Sequence, residues 1–126
     1  WSISSYENEK SLITPTEETR VPLMGVYWDG KAGNLPSLKS GISLSRKGIL
    51  ITAYGPNRDG KGDILRLWEQ TGESVKCTIS FPEKTYQKAQ PCNLRGEPIG
   101  EPIEIEQQPL HVEVNAYQPL SLILLK

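Results

Sequence analysis

The sequence predicts an all-β chain folded as an antiparallel β-sandwich of about eight short strands, and three observations carry that prediction. Apolar and polar residues alternate with a period of two through most hydrophobic segments, as in half-buried strands. No stretch sustains the i, i+3, i+4, i+7 spacing of an amphipathic helix. Eleven glycines and ten prolines cut the chain into short pieces, the punctuation of a sandwich or barrel. Several strands keep one polar face, which favours an antiparallel sandwich with that face in water.

The elements follow in order. Residues 1–19 read as a polar N-terminal segment or linker with a short strand around 11–13, and residues 20–126 as a single β-sandwich domain. Residues 21–28 read as a strand, with Pro22 near its start where a missing N–H is tolerated. Residues 29–34 are turn chemistry, and 35–41 continue as a loop. Residues 42–45 form a short alternating strand. Residues 49–54 are apolar on both faces and are expected to be covered on both.

The centre of the chain is residues 64–81, read as two strands joined into a hairpin by Thr71-Gly72-Glu73. In the first, Leu65 and Leu67 share one face while Ile64, Arg66 and Trp68 share the other. In the second, Val75, Cys77, Ile79 and Phe81 face one way and Lys76, Thr78 and Ser80 the other. Residues 86–94 form a weaker strand interrupted by Pro91. Residues 103–105 suit a brief edge strand, 110–114 alternate cleanly, and 119–125 are apolar on both faces.

Composition narrows the function classes. With 14 basic and 15 acidic side chains the net charge is −1, so the basic footprint of a nucleic-acid binder is missing and no nucleic-acid partner is expected. No apolar run approaches the ~20 residues of a membrane-spanning helix, so no membrane partner is expected. The chain opens on Trp1 with no basic-then-apolar leader, and is read as a piece of a longer polypeptide. Its compartment stays open, an extracytoplasmic one being favoured. If 74–81 and 86–94 pair, Cys77 and Cys92 fall near each other across the ladder; a disulfide and two buried thiols are both readings of that placement.

Chemistry-bearing constellations are sparse. His111 is the sole histidine, too few for a zinc site of three or four ligands, and no nucleophile accompanies it. A solvated strand histidine is the better reading. Residues 57–63 put oxygen-bearing side chains at alternate positions with Gly60 after Asp59. A calcium loop would need an opening ligand where Gly55 stands and a bidentate glutamate where Arg66 stands. An Asp-Gly turn explains the stretch better. No cofactor or metal is expected. Glu104 and Glu106 look like a solvated edge rather than a catalytic pair. The aromatics Trp28, Tyr54 and Trp68, with Arg66 beside Trp68, are the candidate surface for stacking on a sugar or packing against another domain; burial inside the sandwich is the plainer alternative.

Three segments, in order, resemble the C-terminal β-rich portion of α-mannosidase-type glycoside hydrolases, family 38. Residues 49–54 look like the strand that opens it. Ile64-Leu65-Arg66-Leu67-Trp68-Glu69 followed by Thr71-Gly72-Glu73 looks like its Leu-Arg-Leu-aromatic-Glu strand and glycine turn. Residues 117–124 look like its closing strand after an aromatic-x-Pro. Between them, residues 89–94 sit where the family has an alanine-to-leucine strand. The resemblance covers about two thirds of the chain. Gln118-Pro119-Leu120-Ser121 departs from an acidic residue followed by threonine, which points to a distant, bacterial branch. The resemblance implies an accessory domain without catalytic residues of its own. In such enzymes a separate N-terminal domain holds a zinc ion and an aspartate nucleophile. The implied partner is that catalytic domain of the same parent chain. An independent carbohydrate-binding module is the alternative.

Overall fold

A computed structural model of the chain describes residues 3, 5–22, 24–27, 29–34, 36, 41–58, 60–83, 85–106 and 109–126. Among them lie eight strands: β1 (Ser43–Leu44), β2 (Ile49–Pro56), β3 (Asp63–Glu69), β4 (Val75–Ser80), β5 (Lys88–Cys92), β6 (Ile103–Glu104), β7 (Leu110–Val114) and β8 (Pro119–Leu125). They form two sheets, one of three strands in the order β1-β4-β7 and one of five in the order β2-β3-β8-β5-β6. Every strand pairing is antiparallel, as the alternation predicts.

The core is made by the inward faces of both sheets. Leu65 and Leu67 of β3, Leu122 and Leu124 of β8 and Ala89 of β5 meet Cys77 and Ile79 of β4 and Leu110, Val112 and Val114 of β7. Burying each large aliphatic side chain contributes about 1.5–3 kcal/mol. Phe81 and Tyr86 close one end edge-to-face, their ring centroids 5.0 Å apart. Strand β8, central in the larger sheet, is buried on both faces. Leu122 and Leu124 face the core, while Ser121 and Ile123 are buried on the outer side. On that outer side the 93–100 loop is tied down by Arg66, whose Nη2 donates to the Leu94 carbonyl at 2.7 Å, and by Gln90, whose Nε2 donates to the Ile99 and Gly100 carbonyls at 3.2 Å. Pro91 sits inside β5 without loss, because its carbonyl faces that loop and accepts from Ile99 N–H at 2.8 Å. The missing N–H points the same way, off the β8 ladder.

Several expectations are corrected. Residues 64–81 are not a hairpin: β3 and β4 lie in different sheets. Both edges of β3 are already taken, by β2 and β8, so the chain after Gly72 must cross to the other layer. The pairing of 74–81 with 86–94 on which a disulfide depended does not form, since β4 pairs with β1 and β7, and β5 with β8 and β6. Cys77 and Cys92 are therefore on different sheets, and both are free buried thiols.

Residues 49–54 are not covered on both faces. β2 is an edge strand, and Ile51, Thr52 and Tyr54 are exposed. The strand expected around 11–13 is instead a 3₁₀ turn, Glu9–Leu12, running into a helix, α1 (Ile13–Arg20). Asn8 and Ser11 form a reciprocal capping box that opens the 3₁₀ turn, whereas within α1 the Thr16 and Thr19 hydroxyls bond back to the Leu12 and Pro15 carbonyls, which lends a helix no support. Such a helix needs no apolar stripe, so hydrophobic periodicity does not reveal it. Of the strand expected over 21–28, the described residues belong to no strand. Val21, Met24, Val26 and Tyr27 are exposed, and among the described residues none of them has a ladder partner.

Candidate functional site

The described candidate surface residues fall in two places. Trp28 lies outside the described residues. Arg66 and Trp68 share the outer face of the five-stranded sheet, where Trp68 is 45% exposed and its Nε1 donates to the Tyr117 carbonyl at 3.3 Å. Tyr54 is on the other face, opposite Leu65. A single residue decides this. Leu50 pairs with Trp68 and Ile51 with Leu67, then a bulge shifts the register so that Ala53 meets Arg66 and Tyr54 meets Leu65. Were the same residues paired without a bulge, Tyr54 would meet Ile64 and stand on the side of Arg66 and Trp68, because the side-chain period of a strand is two.

On its actual side Tyr54 joins a phenol–phenol–carboxylate chain. Its Oη lies 2.8 Å from Tyr86 Oη, and Tyr86 Oη donates to Asp63 Oδ2. Burial, the bond to Asp63 and the neighbouring Tyr54 all push the Tyr86 phenol upward, so it stays protonated. Asp63 and Tyr86 of that chain line a cavity of about 580 Å³ at the end of the larger sheet, together with Gly62, Lys88, Leu125 and the two lysines Lys61 and Lys126. Gly62 has to be glycine there: φ is +88°, and a Cβ would lie 2.3 Å from the Leu124 carbonyl oxygen.

The other end of β3 carries a second carboxylate. Glu69 continues the inward parity of Leu65 and Leu67, and is fully buried. Its Oε1 accepts from Thr71 N–H at 2.7 Å and from the Thr71 hydroxyl. Its Oε2 accepts from Gly72 N–H at 2.9 Å and Tyr117 N–H at 3.0 Å. Burial opposes ionisation, but the Thr71 hydroxyl and the three N–H donors outweigh it and hold the carboxyl at about 2. The carboxylate thereby fixes the 70–72 crossing and the corner before β8, where Tyr117 takes a left-handed φ of +56°. Gly72 has φ +77°, and a Cβ there would meet the Tyr117 ring at 2.6–2.9 Å. Glu69 is thus a structural clip, not a proton donor.

The remaining candidates are bland. His111 is exposed, its Nδ1 3.2 Å from the Thr78 hydroxyl. A cavity of about 420 Å³ runs along Ile105, Pro109 and His111 beside Glu104 and Glu106. Glu104 turns to Lys88 Nζ at 2.8 Å, as a solvated edge would. Among the described residues no group of three or more His, Cys, Asp or Glu could hold a metal ion; Asp59 of the turn stretch lies outside them. Burial pushes the Cys92 thiol up despite the opposing Arg66 charge, so it is not poised as a nucleophile.

Sequence reasoning missed Glu69, Asp63 and Tyr86. For Glu69 a signal was present, a carboxylate at the inward parity of an otherwise apolar face. The Asp63–Tyr86 bond joins two elements distant in sequence and carries no local signal.

Over residues 48–118, more than half of the chain, the sequence matches the family model described as the glycosyl hydrolases family 38 C-terminal beta sandwich domain. No curated protein and no solved structure gives a significant match. The matched span contains Tyr54, Asp63, Glu69, Gly72, Tyr86 and Tyr117, the residues that tie the sandwich together. With two antiparallel sheets of the corresponding architecture, this chain belongs to the glycosyl hydrolase family 38 C-terminal β-sandwich domains.

Proposed function

We propose that this domain is a non-catalytic accessory domain of a larger α-mannosidase-like glycoside hydrolase, which packs against the catalytic domain of the same parent chain and helps to shape its substrate cleft. The observation that carries the reading is the family match over residues 48–118. The geometry agrees with it. The buried carboxylate of Glu69 is committed to backbone donors, and the half-buried Asp63 is bonded to a buried phenol; neither stands opposite the other across a cleft, as two hydrolytic carboxylates must. The outer face of the larger sheet offers Trp68 and Leu94 for contact with a neighbouring domain.

Hydrolysis of aryl mannosides by the isolated chain is the direct test. No turnover is expected, and clear turnover would overturn the reading. The gene upstream of Trp1 is expected to encode a zinc-dependent catalytic domain; an unrelated upstream sequence would also overturn it. A second reading, carbohydrate binding through Trp68 with Arg66, is favoured by the half-exposed indole. It predicts saturable binding of mannose oligomers that is lost in Trp68→Ala, and a flat titration ends it.

A further inference from the structure

Strands β1, β7, β2 and β6 bound the two sheets, and they are not equally protected against a further strand. β1 and β6 are two residues long and β2 carries a bulge, features that discourage edge-to-edge pairing. β7 runs five residues in unbroken register with β4 and contains no lysine, proline or inward-pointing charge. The bonding on the far side of β4 fixes which of its main-chain groups are free. Thr78 N–H donates to Ser45 Oγ at 2.9 Å and the Thr78 carbonyl accepts from Ser45 N–H at 3.0 Å, so the main-chain groups of Thr78 face away from β7. Those of Val75, Cys77 and Ile79 then face β7 and pair with Val114, Val112 and Leu110. The N–H and C=O groups of His111 and Glu113 therefore point away from β4, and no described residue bonds to them. Both side chains are exposed.

Beside this edge lies the cavity of about 420 Å³, between β7 and the β6 edge of the larger sheet. Its wall is apolar at Ile103, Ile105, Pro109 and Leu110 and acidic at Glu104 and Glu106. Residues 103–114 carry the carboxylates of Glu104, Glu106 and Glu113 and no lysine or arginine. Glu104 is matched by Lys88. Glu106 and Glu113 are exposed and form no ion pair with any described residue, Lys76 opposite Glu113 in the ladder included. An open ladder edge, an apolar recess and two unmatched carboxylates thus adjoin one another.

We propose that β7 accepts an additional strand from a partner polypeptide, an extended segment in which lysine or arginine alternates with aliphatic residues. Main-chain bonds to His111 and Glu113 supply the ladder. Alternate aliphatic side chains cover the apolar wall of the cavity, and the cations between them complement Glu106 and Glu113. A second copy of this chain is the poorer fit, because its own β7 would bring His111 and Glu113, and no lysine or arginine, to the same carboxylates.

Titration of the chain with a short capped peptide alternating lysine and valine tests this, followed by amide chemical shifts and hydrogen exchange, with mass measured by light scattering. Saturable shifts are expected at His111 and Glu113, whose amides should then exchange about tenfold more slowly. His111→Pro removes a donor from the open edge and none from the β4 ladder. It should weaken peptide binding about fivefold and leave the urea midpoint nearly unchanged. Glu106→Gln with Glu113→Gln, at exposed positions that do not support the core, should weaken it about threefold. A peptide with glutamate in place of lysine should bind more weakly than the lysine peptide. A flat titration at His111 and Glu113 overturns the proposal, as do equal binding of the glutamate peptide and binding that survives His111→Pro undiminished. Slow exchange of both amides without peptide also overturns it, in favour of a second copy if the chain is then a dimer and of a segment of the chain itself if it is a monomer. The proposal does not rest on the accessory-domain reading, and none of these outcomes bears on that reading.

Discussion

Strand β3 begins and ends on a carboxylate, and the two are held differently. Glu69 is gripped by three backbone N–H groups and one hydroxyl, so its charge fixes the path of the main chain at the crossing between sheets. Asp63 takes a bond from the Tyr86 phenol, itself against Tyr54, so it links side chains of three segments. Backbone donors cannot rotate away, whereas a phenol can find another partner at small cost. The Glu69 end of the strand should therefore be rigid and expensive to alter, and the Asp63 end adaptable.

Substitution of Glu69 should show the largest effect. Glu69→Gln places an amide NH₂ against a site built of donors, and should lower stability by about 3 kcal/mol in urea denaturation. An unchanged midpoint would remove the distinction between the two ends. Acid should act through the same group. Its carboxyl is held at about 2 against an ordinary 4.5, so the charged form is the one the fold stabilises. That contribution, about 3 kcal/mol, is complete above pH ~5 and is lost as pH falls from there toward 2. Urea midpoints at pH 7, 5 and 3 should show the loss in the parent chain and a flatter profile in Glu69→Gln.

The other end of β3 should respond less. Tyr86→Phe keeps the ring against Phe81 but removes the hydroxyl, and should cost about 1–2 kcal/mol; a loss equal to that of Glu69→Gln would show the phenol network to be as rigid as the clip. Smallest of all, Trp68→Ala on the outer face should move the midpoint of the isolated chain by less than about 1 kcal/mol, since its indole is half in water.

Much of this architecture was legible in the alternation of residues. The inward set Leu65, Leu67, Cys77, Ile79, Val112 and Val114 follows directly from a period of two. Strand pairing was not legible, because Thr71-Gly72-Glu73 suits a hairpin turn and a crossing between sheets equally well. What separates them is that β8, some fifty residues on, claims the second edge of β3. The face of Tyr54 was hidden for a different reason. One inserted residue between Ile51 and Ala53 reverses parity, and no feature of the residue types marks it. The helix before Val21 continues a side-chain-capped 3₁₀ turn and carries no apolar stripe, so a search for periodicity passes over it.

The two buried thiols give each layer of the sandwich its own chemical reporter. Cys77 sits in the three-stranded layer and Cys92 in the five-stranded one, and neither requires an oxidant for the chain to mature. A thiol-trapping reagent applied in mild denaturant would modify each at the rate at which its own layer opens. Equal rates would mean that the layers part in one step, and unequal rates would reveal which of them loosens first.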